Sequence, residues 1–358
     1  MWTFRRKRQS LVAEKPPSQP EQIALFPACR NGLWGYIDRA GRVAITPRFV
    51  GAKEFSDGLA AVYIGGTNDG YGGCSGGMWG YIDPAGDAVV KPMFSRAYEH
   101  SDGLALVGVG PPPHTYGFID KSGRFIVKPR FNCASAFSER LAPVNIGGTD
   151  YGGGKWGYID TEGRIIIALQ FDGAYCFTEG LACVHFGQVL ERTAQFGFID
   201  KAGKVVIQAR FDFAHRFSDG RASVTVGHDF GVANHGYIDK TGIMVIEPRF
   251  EGALTFSEGL ASVQIRGRWG CINIDGEFVI EPRYFAIQTF SEGLAAAIPE
   301  SEGRQRNFGY INTKGQLVIK PSFEVAAPFS NGLARVTIGH NTWGYVDASG
   351  KYVWEPSC

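Results

Sequence analysis

Long apolar runs are missing from this chain of 358 residues. None approaches the roughly 18 residues that a membrane-spanning helix needs. An excess of charge is missing as well: 36 lysines and arginines face 35 aspartates and glutamates, a net charge of +1. Bulk electrostatics therefore gives no reason to expect a nucleic acid or a membrane surface as partner. Cysteine is sparse and shows no pairing pattern. The seven stand at Cys29, Cys74, Cys133, Cys176, Cys183, Cys271 and Cys358, without a C-x-x-C pair. Neither a zinc site nor a disulfide framework is expected, and most of the seven read as small buried apolar residues. The basic cluster Arg5–Arg8 is followed only by Leu11–Ala13 as an apolar stretch. A secretory leader needs about 7 to 15 apolar residues there. A cytoplasmic, unexported protein is the expectation. Residues 1–21 read as a flexible basic tail and 22–358 as a single array.

Glycine, in contrast, is abundant: 49 residues, beside 18 prolines and 13% aromatics. That composition points to short strands and tight turns. The glycines fall in a repeat. WGYIDRAG at Trp34 recurs at Trp79, Tyr116, Trp156, Phe196, His235, Trp269, Phe308 and Trp343, at intervals of 34 to 45 residues that average about 39. Counting the first aromatic as slot 0, glycine occupies slots 1 and 7 in all nine copies. Slot 15 is aromatic and slot 26 alanine in the eight copies that continue, and slot 21 is phenylalanine in all but one, where His100 stands. All length variation, from 5 to 16 residues, falls between slot 28 and the next aromatic.

Each slot has a physical reading. Aromatic-Gly-aromatic-Ile-Asp is a strand, and Asp-x-x-Gly is a turn in which the carboxylate caps the backbone and the glycine takes positive φ. Asn273 and Asn312 keep the turn bond without the charge, which favours a structural role. An apolar strand follows, ended in most copies by proline (Pro47, Pro92, Pro129). F-x-x-A-x-x-F is a connection with two buried rings, and Leu-Ala-x-Val is a third strand. The links at 264–268 and at Asn31-Gly32 have hairpin length. An extra first strand is expected over Ala24–Cys29. One copy cannot bury enough surface to stand alone, so neighbours must cover each other's faces.

The register of W-G-Y-I-D-x-x-G, V-I-x-P-x-F, A-x-x-F and G-L-A-x-V over nine copies resembles the WG (KWG) repeat family, common in bacteria. The resemblance covers about Ala24 to Pro356. It implies an all-β repeat array with a binding or scaffolding role and brings no catalytic residues. His235 and Cys271 depart from it at aromatic positions, and Arg140 and Arg221 interrupt the Gly-Leu pair, so those copies are expected to be looser.

The expected architecture is all-β, nine tandem β-meander repeats in an open β-solenoid or superhelix, with a closed propeller-like ring as the alternative. Nine copies exceed the four to eight blades of ordinary propellers. The variable links carry the candidate binding residues: Asp69, Tyr71, His114, Asp150, Tyr151, His228, Asp229 and His340. Tyrosine among glycine and small polar residues is the composition of adaptable binding loops. The inserts at 65–77 and 147–154 lack the G-K-[ST] and following helix of a phosphate loop. His228 and His235 flank Asp229 without a third ligand, so no metal and no cofactor are expected. Arg48, Arg130, Arg210, Arg249 and Arg283 share slot 14 and read as a solvated stripe or an anion-binding ladder. No nucleophile–base arrangement recurs, which argues against an enzyme. The function expected is a non-enzymatic scaffold for protein partners. A carbohydrate or cell-wall polymer is the alternative ligand, and neither nucleic acid nor membrane is expected.

Overall fold

The computed structural model describes residues 24–68, 74–149, 152–189, 193–227, 234–300, 306–339 and 342–357. Nine antiparallel sheets follow one another along the chain. We call them blades I to IX and their strands a to d. Blade II has four: a, Gly51–Ser56; b, Leu59–Ile64; c, Met78–Ile82; d, Ala88–Phe94. Blade I has three strands among the described residues: b, Phe26–Arg30; c, Leu33–Ile37; d, Val43–Phe49. Blade IX is a, Val325–Ala326; b, Leu333–Thr337; c, Trp343–Asp347; d, Tyr352–Ser357.

The strands sit where the slots place them, with three differences. F-x-x-A is more than a connection: its slots 17 and 18 form the short strand a, as at Cys133–Ala134 or Gly173–Ala174. Proline does not end strand d, which runs on through Pro47 to Phe49. There d bulges over c: Trp34 faces Phe49 and Tyr36 faces Ile45. A Cβ on Gly35 would overlap the carbonyl of Ile45, so slot 1 must be glycine. The proline lies in the outer, edge strand, where a missing N–H costs little. Third, repeat and blade are out of phase. A blade takes a and b from one repeat and c and d from the next.

The array is a closed nine-bladed ring, not the open solenoid favoured by the blade count. Nine apolar clusters each join two adjacent blades. Tyr36, Ile45 and Phe49 of blade I meet Ala60, Val62 and Ile82 of blade II. The ninth cluster joins the two ends: Phe26, Ala28 and Ile37 of blade I pack on Leu333, Tyr345 and Trp354 of blade IX. The slot 7 glycines show the same closure. Gly163 rests on Val127 and Gly203 on Ile167 of the preceding blade, and Gly41 of blade I rests on Val353 of blade IX. Blade number follows from the angle at which two such faces pack, and nothing in strand periodicity encodes that angle.

The large rings are mortar, as their spacing implies. Tyr36, Tyr81, Tyr158, Tyr237 and Tyr310 at slot 2 are almost fully buried. Each packs on the slot 21 ring of the next blade, as Tyr158 does on Phe177 with centroids 5.0 Å apart. Each hydroxyl donates to a backbone carbonyl there, as Tyr158 does to Tyr175 at 2.8 Å. The copies expected to be looser keep the register. Cys271 is fully buried, and Arg140 takes the positive φ of the glycine it replaces, 70°.

Candidate functional site

Successive turns of a meander lie at alternate ends of its sheet. The b–c links and the d–a connections therefore share one end of the ring. The a–b and c–d turns share the other. Every variable link is a b–c link, so all length variation gathers at one end.

That end is better ordered at its base than its glycine content implies. The link at 147–154 extends the hairpin, with Gly148 opposite Gly153 and Thr149 opposite Gly152. In blade II a small ribbon pairs Thr67 with Ser75 and Asn68 with Cys74. A side chain missed in the sequence reading anchors the links. Slot 16 carries Asn132, Asp172, Asp212 and Glu251, which accept from backbone N–H groups at the start of the link. Asn132 Oδ1 accepts from Gly147 N at 2.9 Å, Asp172 Oδ2 from Gly187 N at 2.8 Å and Asp212 Oδ2 from Gly227 N at 2.6 Å. Glu251 accepts from both Arg266 N and Gly267 N. The signal was a polar residue after the slot 15 ring, fifteen residues before its partner.

Of the candidate binding residues, His114 is the one the structure describes. Asp69, Tyr71, Asp150, Tyr151, His228, Asp229 and His340 lie outside the described residues. His114 is half-buried and tied into its own link. Nδ1 lies 2.9 Å from the Gly110 carbonyl, and Arg96 Nε donates to Nε2 at 3.3 Å. One neutral tautomer satisfies both contacts. His235 pairs with the Thr225 hydroxyl at 3.1 Å. Among the described residues no three His, Cys, Asp or Glu side chains are grouped to hold a metal ion. There is also no helix among them to follow a phosphate loop.

The slot 14 arginines are inter-blade straps, which neither reading of the stripe anticipated. Each guanidinium lies over its neighbouring ring and donates to the slot 7 glycine carbonyl of the next blade. Arg130 is 5.1 Å from the Phe131 centroid and bonds Gly163 O at 2.8 Å. Arg48, Arg210, Arg249 and Arg283 do the same. One donor of each is turned to backbone.

The opposite end is held by carboxylates. The acid of each a–b turn sits at positive φ and accepts from the next blade's turn. Asp57 takes Gly103 N, Glu139 takes Gly180 N and Asp219 takes Gly259 N. Lys201 and Lys240 cover two of these acids, Glu139 and Glu179. The c–d turn aspartates cap as expected. The Arg42 N–H holds Asp38 below the usual carboxylate range, and the Ser122 and Thr241 hydroxyls do so for Asp120 and Asp239. These acids are committed to backbone.

The seam between blades IX and I differs. Tyr345 packs on Phe26 at 5.5 Å and donates to Pro27 O at 3.0 Å. Ser357 Oγ donates to Cys29 O at 2.6 Å, and Arg30 lies 4.5 Å over Trp354. A cavity of about 340 Å³ opens beside them, lined by Leu25, Phe55, Pro328, Leu333, Arg335 and Tyr345. Cys29 is engaged in a disulfide, against the expectation of free thiols. Cys183 and Cys271 are buried and free as expected. Burial pushes the Cys271 thiol up to about 12.

No curated protein matches the chain in sequence. Among solved structures, one titled as a eukaryotic initiation factor is similar with a TM-score of 0.51 at 11% identity, over 84% of this chain and 88% of that one. BamB from Moraxella catarrhalis (TM-score 0.44, 14% identity, 78% and 89%) and a puromycin hydrolase (0.43, 10%, 89% and 55%) are more distant. At such identities the likeness concerns the fold alone. The model of the WG containing repeat matches residues 34–67, 79–110, 116–149, 156–187, 196–227, 236–269, 269–297 and 308–339. With those eight matches over more than half of its length, the chain belongs to the WG repeat family.

Proposed function

We propose that this ring is a non-enzymatic scaffold that binds protein partners through the end carrying the variable links. The observation behind this reading is the division of labour between the two ends. Turns at one end keep their length and spend their polar groups on neighbouring blades. Links at the other end vary from 5 to 16 residues on anchored bases. A constant frame with variable loops is how rigid scaffolds present recognition surfaces. The acids and arginines of the frame are bonded to backbone, which leaves no recurring constellation for catalysis among the described residues.

The test is affinity capture with mass spectrometry on the intact protein and on a variant with the links at 65–77 and 147–154 cut to two-residue turns. Loss of specific partners with an unchanged melting temperature is the expected result. Partners that all survive the shortening would remove the links from the reading. A glycan-array signal without protein partners would replace the protein ligand with a carbohydrate.

A further inference from the structure

The seam cavity lies at the end of the ring that carries the a–b turns, away from the variable links. The turns of blades II and IX wall it through Asp57 and Ser330, and Leu25 and Phe26 of blade I close a third side. An added strand would find two carbonyls of that edge already bonded: Pro27 O takes the Tyr345 hydroxyl and Cys29 O the Ser357 hydroxyl. The space is of another kind. At about 340 Å³ it stands at the small end of ordinary ligand sites, which run from roughly 300 to 1,000 Å³. Leu25, Phe55 and Leu333 give it an apolar body.

Two charges line this body without a partner. Arg335 stands at slot 27 of strand b in blade IX. In the other blades that residue is uncharged and buried, as Ala61, Cys183 and Ser262 are. Arg335 is opposite Tyr345 across the sheet and lies 4.8 Å over the Trp343 ring. Among the described residues its guanidinium meets no carboxylate and no carbonyl. A guanidinium stacked on a ring keeps its N–H edge for a carboxylate. The blade II wall carries Glu54, whose carboxylate has neither an ion pair nor a hydrogen bond among the described residues. Asp57 beside it is committed to Gly103 N. Burial pushes the Tyr345 hydroxyl pKa up, Arg335 pulls it down and Glu54 adds to the rise. Both charges therefore bear on one buried hydroxyl of the cavity wall, and no ion pair joins them. A ligand that carries both signs would satisfy the two together.

We propose that the seam cavity binds a small zwitterion with an apolar body, an α-amino acid with an aliphatic or aromatic side chain. Arg335 takes its carboxylate, Glu54 its ammonium, and the apolar walls its side chain. A dianion such as a phosphate ester does not suit the site, because Glu54 and Asp57 outweigh the single cation. The site is at the opposite end from the variable links and does not rest on the partner proposed for them.

Calorimetric titration of the full chain with L-phenylalanine and L-leucine tests it. Both are expected to bind and to raise the melting temperature. 3-Phenylpropanoate and 2-phenylethylamine each lack one charge and are expected to bind roughly 10-fold more weakly. Arg335→Gln and Glu54→Gln are each expected to weaken L-phenylalanine binding by a similar factor, while melting as the parent does in the absence of ligand. Should Arg335→Gln unfold, the ligand series on the parent chain and the exposed Glu54→Gln decide. No binding of either amino acid at roughly 10 mM would overturn the proposal. Binding that both variants retain would overturn it too, by placing the amino acid elsewhere. So would equal binding of 3-phenylpropanoate, which would leave the ammonium without a role.

Discussion

The joint between blades IV and V and the joint between blades IX and I do the same job with different parts. At IV/V, Phe177 covers Tyr158, Ser138 Oγ bonds Phe177 O at 2.7 Å and Glu139 holds Gly180 N. At the seam no slot 21 ring follows Tyr345 among the described residues, and Phe26 covers it instead. Phe26 stands at slot 26, where every other copy has alanine. Ser357 occupies the place of a strapping arginine and bonds Cys29 O. Asn331 replaces the turn acid at the one joint with no receiving turn among the described residues. The comparison teaches that the joint is specified by filled volume and satisfied backbone, and that several residue sets meet those demands. It also ranks the joints: a seam with a cavity beside it is the weaker one.

The largest effects should come from emptying the two joints. Tyr158→Ala is expected to cost about 3–5 kcal/mol, read by urea denaturation. Tyr345→Ala should cost about 1 kcal/mol less, because the cavity beside it already gives the walls room to relax. An equal or greater loss at Tyr345 would break the ranking. Phe26→Ala comes next, at about 3 kcal/mol, although it installs the residue of all eight other copies. A neutral result would show that Phe26 is not the substitute ring.

A smaller effect of opposite sign is expected at His100. It fills a phenylalanine position, is almost fully buried, and neither ring nitrogen meets a partner among the described residues. His100→Phe should stabilise by about 1 kcal/mol. Burial pushes the His100 pKa below its ordinary 6.5. The unfolded chain therefore takes up a proton before the folded one does, and stability present above pH 6.5 is lost as pH falls below it. The phenylalanine variant should lose less between pH 7 and 5. The remaining loss has contributions from His185 and His215, also lowered by burial. A parallel pair of stability–pH curves would remove His100 from this account. The smallest effect is expected for Arg210→Gln, less than about 1 kcal/mol, since an exposed strap gives one hydrogen bond and a ring contact. Thermal melting checks it, and a larger fall would make the straps a main support of the joint.

Much of this architecture is legible in the sequence, and the illegible parts share a cause. The Asp-x-x-Gly turns, the hairpins at Asn31-Gly32 and 266–267, and the buried tyrosines follow from local chemistry. Strand a is two residues long in most blades, too short to show an alternation. The slot 13 proline reads as a stop because the bulge that tolerates it forms against another strand. The arginine straps and the carboxylates of the a–b turns depend on partners in the next blade, and ring closure on contacts between the two ends of the array, as between Tyr345 and Pro27. The candidate site is the least legible part. Repetition marks what is held constant, whereas recognition resides in links that follow no pattern.

The phase shift between repeat and blade has an evolutionary consequence. Each covalent copy contributes the outer pair of strands to one sheet and the inner pair to the next. Tandem duplication of one copy therefore inserts a whole sheet without inventing a new contact, and loss of a copy removes one as cleanly. The circumference is free to drift by single steps while the two chain ends keep the same closing bonds.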